Sequence, residues 1–209
     1  MFKRSITVLL FASSIFLGKS TVQGDENPIA VDAISVKPLR AGAMIPDVSV
    51  TNVDGKKVNL QSLHRDRTVV LVFFRGGWCP ICTKHTQALI QAYPRIKELG
   101  AELVGISPDN VESSKANVEK STIPFPIYSD SDVSAARAFG LAFRVDDGTI
   151  EKYKGYGIDL EKASGLKHHA LPIPAIYIVD KSGKIKFANS NPDYRNRLDP
   201  AIIREHLAK

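Results

Sequence analysis

Both cysteines of this 209-residue chain fall within one pentapeptide, Trp78-Cys79-Pro80-Ile81-Cys82. Two thiols three residues apart can exchange with a disulfide or reduce an oxidant, provided that one of them is held as a thiolate, the reactive form. The surroundings favour that state. Thr68–Phe74 (TVVLVFF) is a continuous apolar run rich in β-branched and aromatic residues, as expected of a strand covered on both faces. Helical spacing of apolar residues begins at Pro80 and runs to Leu99. The motif therefore opens a helix, where unpaired N–H groups and the positive end of the dipole stabilise a thiolate. Pro80 suits the first helical position. Arg75 can add positive potential, and Trp78 can shield one side of the pair.

Other uses of the two cysteines fit less well. A disulfide closing so short a loop removes little chain entropy and is a poor staple. A metal site needs further ligands, and only His168 and His169 are available nearby in type. A haem attachment motif needs His directly after the second Cys, where this chain has Thr83. A redox-active dithiol is the reading that remains, with no metal and no cofactor. Ile173-Pro174, directly before the apolar segment Ala175–Val179, is a second candidate feature. The expectation is a cis bond there, holding the Pro174 loop against the dithiol.

The elements that position these residues alternate between strand and helix. Val48–Thr51 and Val58–Leu60 form a hairpin around Asp54-Gly55. Ala101–Ile106, Phe125–Tyr128, Ala175–Val179 and Lys184–Ala188 are further strands, the last two joined by the Asp180–Gly183 turn. Helices are expected from Pro80, from Ser107-Pro108 with Ser107 as cap, over Ser131–Phe139, and from Asp199-Pro200. Pro94 should kink the first. Leu141–Ala170 reads as a surface insertion with a short helix. The result is a three-layer α/β domain over residues 40–209. Residues 25–39 are a linker or arm.

At the N-terminus, Lys3 and Arg4 precede the mostly apolar, uncharged Ile6–Leu17 and then small residues, the order of a secretory signal. Cleavage is expected after Ser20 or Gly24, so that residues 1–24 are lost and the chain works in the periplasm. The alternative is an uncleaved membrane anchor. Removing residues 1–20 takes away Lys3, Arg4 and Lys19 and no acid, which lowers the net charge from +6 to +3. A mildly basic protein with no Lys/Arg block interleaved with aromatics has no footprint for nucleic acid. Its 44% hydrophobic and 24% charged residues exclude disorder and fibrous repeats.

Val69–Cys82 (VVLVFFRGGWCPIC), Ser107-Pro108, Phe139-Gly140, Pro172–Asp180 and Asn191–Tyr194 (NPDY) resemble the peroxiredoxin-like branch of the alkyl hydroperoxide reductase/thiol-specific antioxidant family. The resemblance implies a thioredoxin-like fold, a central mixed sheet flanked by helices, with an N-terminal β-hairpin extension. It implies reduction of hydrogen peroxide or organic hydroperoxides, with a thioredoxin-like dithiol as electron donor. By the family's spacing Cys82 attacks the peroxide and Cys79 condenses with it. By the logic of a strand–CxxC–helix motif Cys79 attacks and Cys82 resolves. Either order ends in a Cys79–Cys82 disulfide. The chain departs from the family where Arg75 stands for a proline and Cys79 for a threonine. Leu171–Ala175 also lacks the arginine expected near the last core strand, and Arg144, Arg195 and Arg197 have no assigned role. Three functions stay open: a thiol peroxidase, an exported thioredoxin-type oxidoreductase, and a copper-binding protein using the thiols with His169.

Overall fold

The computed structural model describes residues 28–209; the signal segment expected over residues 1–24 lies outside them. Nine strands and six helices follow one another: β1 (Ser49–Asn52), β2 (Lys57–Asn59), β3 (Thr68–Phe73), α1 (Pro80–Glu98), β4 (Ala101–Ser107), α2 (Val111–Ser121), β5 (Ile127–Ser129), α3 (Ser134–Ala138), β6 (Ala142–Arg144), α4 (Asp147–Gly155), α5 (Leu160–Ser164), β7 (Ala170–Pro172), β8 (Ala175–Val179), β9 (Ile185–Ser190) and α6 (Pro200–Leu207). Among the described residues, seven strands form one sheet in the order β2-β1-β5-β4-β3-β8-β9. β3, β4 and β5 are parallel, β8 runs antiparallel beside β3, and β9 runs antiparallel beside β8. This is the expected thioredoxin-like arrangement with the hairpin β1–β2 added at the far edge.

The apolar run of β3 explains why the site is rigid. Val69, Leu71 and Phe73 point into a core shared with α3 and the N-terminal arm. Val70 and Val72 point the other way, into a core shared with α1, α6 and both cysteines. Each of these strand side chains is at most 4% exposed, and burial of each stabilises by roughly 1.5–3 kcal/mol. The dithiol is thus anchored at the end of a strand buried on both faces. α1 continues through Pro94 and docks on α6, whose start is fixed by the Asp199 cap and by His85 Nε2, which donates to the Leu198 carbonyl at 3.1 Å.

Several elements differ from expectation. Ser107 ends β4 and does not cap a helix. Asn110 caps α2 instead, its side chain accepting from the Ser113 N–H at 2.8 Å, and this leaves Pro108 and Asp109 in the intervening loop. The third helix starts later, at Ser134, because the buried Asp130 carboxylate takes the Ala135 and Ala136 N–H groups at its first turn. Leu60 closes the hairpin in a 3-10 turn. The Leu141–Ala170 stretch is no loose insertion: it holds the antiparallel pair β6–β7 and the helices α4 and α5, capped by Asp146 and Asp159. The Ile173–Pro174 bond is trans, since no peptide bond among the described residues is cis. The chain passes from the β7 ladder at Pro172 directly into the β8 ladder at Ala175 as extended backbone. No turn is required there, and the ordinary trans preference of about 0.5–1 kcal/mol decides.

The arm from residue 28 lies along this framework. Ala30 bridges Phe143 of β6, the Leu39 N–H donates to the Phe139 carbonyl, and the Lys37 carbonyl crosses so close to Gly140 that a Cβ there would sit 2.0 Å from it.

Candidate active site

Cys79 caps α1 with extended backbone, and Pro80 takes the first helical position behind it. Cys82 therefore falls one turn along, facing the sheet. Both thiols are 2% exposed and free. A hydrogen bond from the Cys82 thiol is the largest influence holding the Cys79 thiol down, to about 6, and the charges of Arg75 and Arg197 add to it. Burial and the same hydrogen bond push the Cys82 thiol up. Cys79 is therefore the thiol of the pair that ionises first. The pair is thus asymmetric: a thiolate at the helix end with a thiol donating to it.

Three aromatic rings enclose Arg75. Its guanidinium carbon lies 4.0 Å from the Tyr194 ring centroid, 5.3 Å from Trp78 and 5.4 Å from Tyr153. One Nη donates to the Tyr153 hydroxyl. Arg75 is 3% exposed, its Nε has no hydrogen-bond partner, and it forms no ion pair with any carboxylate among the described residues. A buried cation in that position is strongly disfavoured unless a negative charge lies nearby, and the charge that it meets is the Cys79 thiolate.

Arg197, in the segment between β9 and α6, brings Nη2 to 3.2 Å from Cys82 Sγ, and its Nε donates to the Tyr194 carbonyl at 2.7 Å. Pro174 lines a cavity of about 170 Å³ together with Arg75, Tyr153, Tyr194, Phe143 and Val145. It shapes the approach to the guanidinium. Thr83 belongs to the helix: its N–H and hydroxyl both donate to the Cys79 carbonyl, at 3.0 and 3.3 Å. His169 is taken by Glu161, at 2.9 Å, and no group of three or more His, Cys, Asp or Glu side chains gathers as a metal site among the described residues.

The AhpC/TSA family model matches residues 41–188, a stretch that includes the dithiol and all of the parallel strands. This chain belongs to the AhpC/TSA family. It is 29% identical over 173 residues to the chloroplastic peroxiredoxin Q of Suaeda salsa, covering 83% of this chain and 68% of that one. It is 31% identical over 106 residues to peroxiredoxin Bcp of Escherichia coli, covering 51% of this chain and 67% of that one. The peroxidoxin BcpB structure from Mycobacterium tuberculosis shares the fold, with a TM-score of 0.62 and 22% identity over 81% of this chain and 95% of that one. An AhpC/TSA protein with these relatives is an oxidoreductase of the peroxiredoxin class, acting on peroxides through cysteine thiols. No helix among the described residues is long and apolar enough to cross a membrane.

Sequence reasoning names Arg75, Trp78, Cys79 and Cys82, which the structure places beside one another, and misses three of their neighbours. Tyr153 is hidden in the stretch taken for a surface insertion. Arg197 lies 115 residues from the thiol that it touches. Asp109, whose Oδ2 accepts from the Gly77 N–H at 2.7 Å, follows a parallel strand at the same sheet end as the dithiol, and that position is the signal that could have found it.

Proposed function

We propose that this AhpC/TSA protein is a dithiol peroxidase in which Cys79 attacks the peroxide and Cys82 resolves. The observation that carries this reading is the placement of Cys79 at the N-terminal cap of α1, where the helix end and the charge of Arg75 favour a thiolate, with Cys82 one turn inside the helix. The Cys79 thiolate attacks one peroxide oxygen, the O–O bond breaks, and the alkoxide or hydroxide leaves and takes a proton from solvent, so that Cys79 becomes a sulfenic acid. Arg75 and Arg197 offset the negative charge that builds on the oxygens. Cys82 then attacks the sulfenic sulfur, its proton leaves with the hydroxyl as water, and the Cys79–Cys82 disulfide forms. A thioredoxin-like dithiol reduces that disulfide and is itself oxidised, which restores both thiols. The cavity of about 170 Å³ beside Arg75 and Pro174, walled largely by apolar side chains, suits hydrogen peroxide or a small organic hydroperoxide. The Lys3-Arg4 start and the apolar Ile6–Leu17 run support export to the periplasm. N-terminal sequencing of the protein from a periplasmic fraction should read from Thr21 or Asp25; an intact Met1 in a soluble cytoplasmic fraction would count against export.

A second order of events has one observation in its favour: Arg197 touches Cys82 Sγ and not Cys79, and would activate Cys82 as attacker. Single variants separate the two. With hydrogen peroxide, Cys82→Ser should form a sulfenic acid that dimedone traps, and Cys79→Ser should not. The reverse pattern assigns the attack to Cys82. Stopped-flow fluorescence of Trp78 in the reduced wild type should show a second-order rate far above that of a free thiol. A rate equal to the free-thiol control, together with rapid reduction of insulin disulfides, would make the protein a disulfide-exchange enzyme instead.

A further inference from the structure

Asp109 is a buried acid that the reaction above does not use. It is 2% exposed and sits in the loop that Pro108 and Asn110 complete between β4 and α2. Its backbone carbonyl is held by the Ser129 hydroxyl at 2.6 Å and by the Ser114 hydroxyl at 3.4 Å. Oδ2 accepts from the Gly77 N–H at 2.7 Å, while Oδ1 is buried facing the Trp78 indole N–H, which bears on the carboxylate as a hydrogen-bond donor outside ideal geometry. The turn before Cys79 is packed against this carboxyl: Gly76 has φ +142°, and a Cβ on it would sit 2.6 Å from Oδ1 and 2.2 Å from Trp78 Nε1.

Holding one backbone N–H does not require a charge. An asparagine or serine would do it without the desolvation that a buried, half-satisfied carboxylate suffers. What the charge adds is an interaction with Cys79, two residues beyond the clamp. Negative charge at either group disfavours it at the other. We infer that Asp109 is a positioning residue for the reaction, whose buried carboxyl ties down the Gly76–Trp78 turn and whose charge opposes that of the Cys79 thiolate two residues further on.

This inference rests on the assignment of Cys79 as the reactive thiolate. Burial first, and the Cys79 charge among the lesser causes, hold the Asp109 carboxyl up at about 6, the same range as Cys79. Two acids that repel and ionise over one range lose their protons in coupled steps. The other titratable groups around Asp109 are His168 and His169 across a small cavity under Trp78, and Lys120, Lys162 and Asp159 across one of about 360 Å³. None of them forms an ion pair with it. Arg75 also bears on Cys79 through its charge.

The test is Asp109→Asn, which keeps the oxygen for the Gly77 N–H and removes the charge. Reduced wild-type and variant proteins are alkylated with iodoacetamide from pH 4.5 to 9, and modification of Cys79 is followed by peptide mass spectrometry. The wild-type rate should rise over a broad range around pH 6. In the variant the midpoint should fall by about half a pH unit or more and the rise should become a single step. A folded variant with an unchanged midpoint would overturn the inference even if its stability changed, since a purely structural clamp moves only stability. If Asp109→Asn does not fold, ¹³C-carboxyl NMR of the wild type decides. The Asp109 resonance should titrate at higher pH in the dithiol than in the disulfide form, and equal midpoints overturn the proposal. Failure of the underlying assignment looks different: Cys79 would show no preferential alkylation at any pH, whichever residue stands at 109.

Discussion

Gly76→Ala should lower the second-order rate with hydrogen peroxide by about 100-fold or more and destabilise the fold by about 2–4 kcal/mol, while Gly77→Ala should do far less. At Gly76 the backbone adopts φ +142°, which L side chains rarely take, and an added methyl would lie 2.2 Å from Trp78 Nε1 and 2.6 Å from Asp109 Oδ1. Neither group can yield without moving the turn. The indole is packed between Arg75 and Tyr153, and the carboxylate is held through the Gly77 N–H. Relief must come from the backbone that carries Cys79, whose N–H closes the turn onto the Gly76 carbonyl. At Gly77 the backbone needs no positive φ, and the nearest atoms are all of the half-exposed Asn117 side chain, with Cγ at 2.6 Å and Cβ at 2.8 Å, so a small shift of α2 relieves the clash and leaves the turn in place. Stopped-flow Trp78 fluorescence and urea denaturation of both variants check this. A wild-type rate in Gly76→Ala would show that the turn conformation has no bearing on the chemistry.

Arg75→Met should separate activity from stability. The rate with peroxide at pH 7 is expected to fall by about 10- to 100-fold, since the guanidinium both holds the Cys79 thiol down and offsets charge on the departing oxygen. The alkylation midpoint of Cys79 should rise by about one unit. Stability should change little. The variant escapes the burial of a guanidinium and keeps an apolar chain of similar length against the Trp78, Tyr153 and Tyr194 rings, and this offsets the lost attraction between the guanidinium and the Cys79 thiolate. Equilibrium denaturation beside the kinetics checks the separation. A variant that loses stability and activity in proportion would reduce Arg75 to a packing residue.

What the sequence carries well is whatever is local or periodic. The unbroken apolar run Thr68–Phe74 specifies a doubly covered strand, and the strand–CxxC–helix order places Cys79 at a helix start before any tertiary information is needed. Asp199-Pro200 marks the start of α6 in the same way. Where two local signals compete, the reading slips. Ser107-Pro108 and Asn110 both offer a helix start, and the fold uses Asn110 because Ser107 is still paired in the sheet beside Ser129. Contacts between distant segments leave no mark on either segment alone. Tyr153 reaches Arg75 across 78 residues and Arg197 reaches Cys82 across 115. Their positions depend on how α4 and the β9–α6 segment fold back over the sheet end, which no window of sequence displays.

The enclosure of Arg75 also bears on the resting redox state. While Cys79 is a thiolate, the guanidinium has its counter-charge; once the Cys79–Cys82 disulfide forms, that charge is gone and a cation is left buried among three rings. The oxidised protein is therefore the less comfortable of the two states. A dithiol whose reduced form is selectively stabilised has a raised reduction potential and gives up its disulfide readily to an incoming thiol. The same guanidinium that readies Cys79 for peroxide thus drives the protein back toward the dithiol, so that a weak electron supply suffices to keep it charged.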